Sequence, residues 1–335
     1  MKMNKSLLPI LVLLLASCDK ESATIYPGAV SVRIEGAAAV STKTSYDGND
    51  SVGEFFWDVD DQIAVHYSSG GYTTLTVNHQ TGAVNAASTQ GNYRDYYAVY
   101  PATAAVASHY GNPNLRLTLP ASYDISAIVS GSSGLSADFS PCPMVADNNA
   151  NSDFLDFYHV GGLLRIVVTA VPPGTARLRV VLDKDITGTY DVSNPGTREP
   201  TIATKGAASG SAVTFIVGGS SGASASETDP IVLNVPVPTG SYGQIAVEAL
   251  NTGGTVLTSV SSVSEYVFRR HYGKKFYLRQ DEGPQSYTFQ LVLEDEIVWN
   301  KFADVRIADS DNLLWGEGNE GAARIFVPVL EGINW

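Results

Sequence analysis

Cys18 is the residue whose surroundings define its chemistry most sharply. It closes the string Leu15-Ala16-Ser17-Cys18, a large aliphatic, two small residues and a thiol. Small side chains let such a backbone enter a peptidase that cuts in front of the cysteine, and the thiol then accepts lipid. The preceding residues fit this reading. Lys2 and Lys5 give a positive start, and Leu7 to Ala16 is apolar apart from Pro9. That run has the length of a signal peptide and is too short to span a bilayer permanently. The expectation is a lipoprotein signal peptide over residues 1–17, lipidation at Cys18, and a mature chain held at a membrane surface by its acyl groups. With Cys18 modified, only Cys142 is left, in Pro141-Cys142-Pro143, so no disulfide can form within one chain. Cys142 reads as a small buried apolar filler, with an intermolecular bridge and a reactive thiol as the alternatives.

The remaining candidates for chemistry do not assemble into a catalytic set. The five histidines are scattered and none has metal-binding spacing. Gly218-Gly219-Ser220-Ser221-Gly222 matches G-x-S-x-G, but a nucleophile elbow needs a strand-to-helix turn, and this is a Ser/Gly-rich loop. Asp58, Asp60 and Asp61 could bind calcium; they read better as turn residues whose carboxylates accept local backbone N–H groups. Asp309, Asp311 and Glu317 fail the spacing of a calcium loop. No enzyme activity, metal or cofactor is expected. A net charge of −13 argues against nucleic acid as a partner.

The elements that would position these residues are almost all strands. Gly, Ser, Thr, Ala, Val and Tyr are abundant, and the long charged runs typical of surface helices are missing. Ala29 to Glu35 alternates apolar with polar and predicts a first strand at about 29–35. Gly36 to Asp50 carries no strong pattern. Further strands are predicted at Gln62–Tyr67, Tyr72–Asn78, Tyr96–Tyr100, Leu115–Leu119 and within Phe154–Ala170, whose richest stretch is Leu163–Val168. Val171-Pro172-Pro173-Gly174 cannot continue a ladder and marks the expected domain boundary. Beyond it the pattern resumes at Arg177–Leu182, Val213–Val217, Ile231–Val237, Gln244–Leu250 and Lys275–Leu278. The tail adds Ser286–Leu293 and Arg324–Leu330. Short, regularly spaced strands of this kind predict an all-β chain of two tandem antiparallel β-sandwich domains, at 18–170 and 175–280, with a C-terminal extension over 281–335.

Several segments, in this order, resemble the fimbrillins, the lipoprotein precursors of fimbriae in anaerobic Gram-negative bacteria (the Mfa-like, major-subunit type). They are the lipobox with one strand and Thr42-Lys43-Thr44 behind it; Trp57-Asp58-Val59-Asp60-Asp61-Gln62-Ile63-Ala64-Val65; Tyr96-Tyr97-Ala98-Val99-Tyr100-Pro101-Ala102; Pro143-Met144-Val145-Ala146; and Phe157 to Ile166. Ile186-Thr187-Gly188-Thr189-Tyr190 and Arg270-His271-Tyr272 extend the likeness, which runs from Cys18 to about Leu278. The chain departs from the family pattern at Lys43, where arginine is frequent, and in its longer tail beyond Gln280.

The resemblance implies two transthyretin-like sandwiches and a protease of trypsin-like specificity that removes the first strand after export. It also implies assembly with other fimbrial subunits by insertion of a C-terminal strand into the vacated groove. Such cleavage needs a basic residue in an extendable segment. Arg33 lies in the first strand, whereas Lys43 lies in the unpatterned stretch 36–50, so the expected cut is at Lys43-Thr44. Asp19, Lys20 and Glu21 resemble the charged surface-export signals of this group, which implies a lipid anchor in the outer membrane facing the cell exterior. Asp50-Ser51-Val52 resembles the short O-glycosylation acceptor of such bacteria, at Ser51. The expected role is a structural or adhesive fimbrial subunit. The alternatives are a surface glycan-binding lipoprotein of a nutrient-capture system and, more remotely, an all-β hydrolase.

Overall fold

The computed structural model describes residues 29–34, 46–47, 52–55, 57, 61–67, 72–78, 83–85, 96–106, 115–130, 142–147, 154–196, 199–205, 209–219, 221–270, 272–280 and 289–299. The chain is all-β. In order the strands are β1 (Ala29–Ile34), β2 (Tyr46–Asp47), β3 (Val52–Phe55), β4 (Gln62–Tyr67), β5 (Tyr72–Thr76), β6 (Ala83–Asn85) and β7 (Tyr96–Tyr100). There follow β8 (Leu115–Leu119), β9 (Ser122–Asp124), β10 (Met144–Asp147), β11 (Phe154–His159), β12 (Gly161–Val168), β13 (Arg177–Leu182) and β14 (Gly188–Ser193). The last seven are β15 (Thr201–Thr204), β16 (Ala212–Ile216), β17 (Ile231–Pro238), β18 (Gly240–Leu250), β19 (Val256–Phe268), β20 (Tyr272–Gln280) and β21 (Phe289–Trp299). Among the described residues helix is limited to α1 (Ser126–Ser130) and a 3-10 turn at Ala102–Ala104.

Four sheets carry these strands, in the orders β5-β4-β7-β10-β11-β1-β6, β17-β12-β20-β21-β3-β2, β19-β18-β13-β16-β9 and β15-β14-β8. Most ladders are antiparallel; β1 with β11, β12 with β20, β9 with β16 and β3 with β21 run parallel. The five- and six-stranded sheets face each other across one core. Leu178 and Val180 of β13 and Ile245 and Val247 of β18 meet Leu164, Ile166 and Val168 of β12 and Phe276 of β20 there. The seven-stranded sheet has apolar residues on both faces. Ile34, Ile63, Tyr100, Met144 and Phe157 lie in one cluster, while Val99 and Val145 meet Leu117, Tyr190 and Val192 of the three-stranded sheet in another.

Side-chain alternation explains most of these placements. β8 and β13 bury every second residue, as strands with one face on a core must. β12 is buried from its second residue to its last because both of its faces are covered, Leu164, Ile166 and Val168 in one core cluster and Leu163 in another, so its apolar residues do not alternate. Arg165 interrupts them and donates to Asn234 Oδ1 at 3.2 Å.

The turn at Val171–Gly174 forms as the prolines require: Pro172 O accepts the Thr175 N–H at 3.2 Å and its hydroxyl at 2.7 Å, and Gly174 sits at φ +82°. Ladders nevertheless connect strands on either side of it. β12 precedes the turn yet pairs with β17 and β20, and β8 pairs with β14. Two residues of the stretch expected to lack a pattern, Tyr46 and Asp47, pair with Phe55 and Glu54.

Close packing at the start of β12 leads to a stability prediction. A Cβ on Gly162 would lie 2.7 Å from Tyr272 O and 3.0 Å from Arg269 O. Both are backbone atoms of the turn entering β20, which cannot yield without shifting a ladder. Gly162→Ala should therefore lose about 1–3 kcal/mol of unfolding free energy in denaturant melts, as overpacking does.

Candidate functional site

The feature with the clearest functional geometry is the seat of β1. This strand lies inside the seven-stranded sheet, not at its end. On one side Ser31, Val32, Arg33 and Ile34 run in register with Phe154, Leu155, Asp156 and Phe157 of β11. On the other, Ala29, Val30 and Ser31 oppose Asn85, Val84 and Ala83 of β6. The alternation of the segment points Val32 and Ile34 into the core, where both are buried beside Trp57, Leu155 and Phe157.

Trp57 fixes the floor of this seat. Its indole N–H donates to Val32 O at 3.2 Å. Its ring meets Tyr100 and Phe157 edge-on, each with centroids 5.3 Å apart and planes at 83° and 85°. The Tyr100 hydroxyl donates in turn to Asp61 Oδ1 at 3.0 Å, which fixes the ring that holds the indole. Cys142 is a buried thiol in the same cluster.

The energies indicate what an empty seat would mean. Burying two aliphatic side chains contributes roughly 3–6 kcal/mol. Leaving the buried indole N–H without its acceptor would cost about 1–3 kcal/mol more. Together these approach the whole margin of a folded domain, about 5–15 kcal/mol. Loss of β1 would therefore open the core beside Trp57 and leave β11 and β6 without the strand that lies between them.

The sequence-predicted residues divide between those the structure places and those it does not. Cys18, Lys43, Thr44, Ser51, Asp58, Asp60, Asp309, Asp311, Glu317 and the strand at Arg324–Leu330 all lie outside the described residues. Asp61 is described, and its carboxylate accepts the Tyr100 hydroxyl, 39 residues away. Ser220 of the G-x-S-x-G string also lies outside them, but its glycines have packing reasons. A Cβ on Gly222, at φ +77°, would lie 2.9 Å from Gly174 Cα, and one on Gly218 would lie 2.7 Å from Ala223 N. The concavity beside that loop is lined by Ser126, Ser130, Ser221 and their neighbours, without a histidine or carboxylate. Among the described residues no group of three His, Cys, Asp or Glu could hold a metal ion.

Two parts of the site are absent from the sequence reading. The three residues of β6 are too few to show a pattern. The indole-to-carbonyl bond between residues 25 apart has no local signature; the only hint was a tryptophan just before an acidic turn.

No family model and no curated protein matches the sequence. Solved structures that are similar to it include a proposed cell adhesion protein of Bacteroides ovatus ATCC 8483, at 12% identity over 82% of this chain and 98% of that chain, with a TM-score of 0.45. A proposed cell adhesion protein of Bacteroides uniformis ATCC 8492 is 14% identical over 80% and 99% of the two chains, with a TM-score of 0.41. The tip fimbrial protein Mfa3 of Porphyromonas gingivalis, with C-terminal truncation, is 7% identical over 71% and 93%, with a TM-score of 0.26.

Proposed function

We propose that this chain is a structural or adhesive subunit of surface fimbriae, joined to other subunits by strand exchange after β1 is removed. In this reading the precursor is lipidated at Cys18 and anchored in the outer membrane, and its strands form two transthyretin-like domains. A trypsin-like protease cuts Lys43-Thr44, after which β1 and the residues before it are no longer covalently joined to the rest of the subunit and can be displaced. The single observation that carries the reading is the position of β1. A strand at the N-terminal end of the described chain fills an interior slot of a sheet, with Val32, Ile34 and the Trp57 indole bond behind it. An unpaired ladder beside exposed core is a strong template for an incoming strand. The covalently held β1 keeps the precursor from polymerising, and once cut free it can give way to a strand from a neighbour.

The donor in this reading is the C-terminal segment Ile325–Leu330, whose apolar residues can face a core. Deleting Arg324–Trp335 should leave a folded subunit, with an unchanged melting temperature, that no longer forms SDS-resistant ladders. Ladders from the deletion variant would show that this segment is not the donor and would remove the chain from the shaft of a fibre.

A further inference from the structure

Among the described residues β19 ends the five-stranded sheet and has a ladder to β18 alone, with β21 of the facing sheet close by. It is 13 residues long and carries one charged side chain, Glu265, with no lysine or proline. Natural sheet edges of this length are guarded by such residues, because the free N–H and C=O groups invite another strand. Here the protection comes from two bulges. One leaves Leu257 as an extra residue between the pairs Ala249/Thr258 and Leu250/Val256; the other leaves Ser264 and Glu265 between Gln244/Val263 and Tyr242/Tyr266. Between them Thr258–Val263 is a straight, uncharged ladder.

Its outward face carries apolar residues in the open. Val263 is 77% exposed, Val256 43% and Leu257 39%, whereas Val260 turns inward and packs against the core between the five- and six-stranded sheets. Ser259 and Ser261 fill the rest of that outward face and are exposed.

We propose that this edge pairs with the same edge of a second copy of the chain, antiparallel, about a two-fold axis at Val260. An antiparallel pair must place residues of the same face opposite each other, so a two-fold axis has to pass through a residue position. Centring on Val260 sets Val263 against the partner's Leu257 at both ends and Ser259 against the partner's Ser261 between them. Apolar meets apolar, hydroxyl meets hydroxyl, and the contact is self-complementary, as a two-fold interface requires. Centring on Ser261 would instead set Val263 against serine. Charge favours the same place. Two chains of net charge −13 repel, and the paired segment contains no carboxylate. The seam uses neither β1 nor the tail, so it is independent of strand exchange.

Sedimentation of the full chain across a dilution series should show a reversible monomer–dimer equilibrium, equally in chains with and without Lys43→Ala. Val263→Lys should raise the dissociation constant at least about tenfold, since two apolar pairs are lost per seam, with an unchanged melting temperature because the side chain is exposed. Adding Leu257→Glu to Val263→Lys should restore the dimer by pairing opposite charges across it. Val260→Cys should link to its own copy under mild oxidation, because opposed residues on antiparallel strands lie within disulfide reach. A chain that stays monomeric at every concentration overturns the proposal. So does a dimer indifferent to Val263→Lys, a double variant that stays monomeric, or a Val260→Cys chain that does not cross-link.

Discussion

A chain carrying Lys43→Ala should accumulate on the cell at full mature length and form no polymer, while its melting temperature matches that of the unaltered precursor. The reason lies in what holds β1. Arg33 is the other basic residue near the strand, but its backbone is in register with Asp156 of β11, and this pairing keeps a protease from drawing it out as an extended substrate. Lys43 lies beyond the end of β1, and after a cut there the described contacts that still hold the strand are its ladders, Val32, Ile34 and the Trp57 bond. Those contacts are worth several kcal/mol, enough to hold β1 in an isolated subunit. An incoming strand that offers the same backbone pairs and more apolar burial would displace it. The variant lacks the cut, so its slot stays filled. SDS-resistant ladders from the Lys43→Ala chain would mean that this bond is not the trigger.

The second large effect is an acid destabilisation centred on His66. This residue lies on β4 between Tyr72 and Tyr97 on the flanking strands, is 2% exposed, and has its ring centroid 5.2 Å from that of Tyr72. Neither imidazole nitrogen has a hydrogen-bond partner. Burial therefore lowers the imidazole from 6.5 to about 4. The folded chain then takes up the proton only near pH 4, whereas the unfolded chain takes it up near 6.5. Stability from this residue is fully present above pH 6.5 and is lost as the pH falls from there to about 4, by about 3 kcal/mol in total. Urea unfolding at pH 7 and at pH 4.5 should show most of that difference. His66→Phe should remove it while leaving the other acid-sensitive groups in place. An unchanged difference between the two pH values in His66→Phe would contradict the assignment.

What the sequence made legible follows the strength of its side-chain pattern. β1, β8, β13 and β16 alternate cleanly because one face of each meets a core, and β12 is marked by a dense apolar run broken only by Arg165. β19 was not legible. Its Thr-Ser-Val-Ser-Ser-Val-Ser-Glu string is as polar as a loop because an exposed edge strand buries so little, and its place is set by the ladder to β18. Val171–Gly174 forms a turn, as two prolines and a glycine require, but sheet membership is a long-range property. The partners of β12 lie 60 and more residues downstream, beyond the reach of any local signal. The seat of β1 was half legible. The strand itself could be read from Ala29–Ile34, but its slot between β11 and β6 and the indole that grips Val32 depend on the folded chain.

N-terminal sequencing of the surface-displayed, assembled form tests the central claim most directly. Strand exchange after removal of β1 predicts a chain beginning at Thr44, with Ala29–Ile34 absent from the polymer. A chain that still begins at a blocked Cys18 in assembled material would contradict it, because β1 would then still occupy the slot that a neighbour's strand must fill.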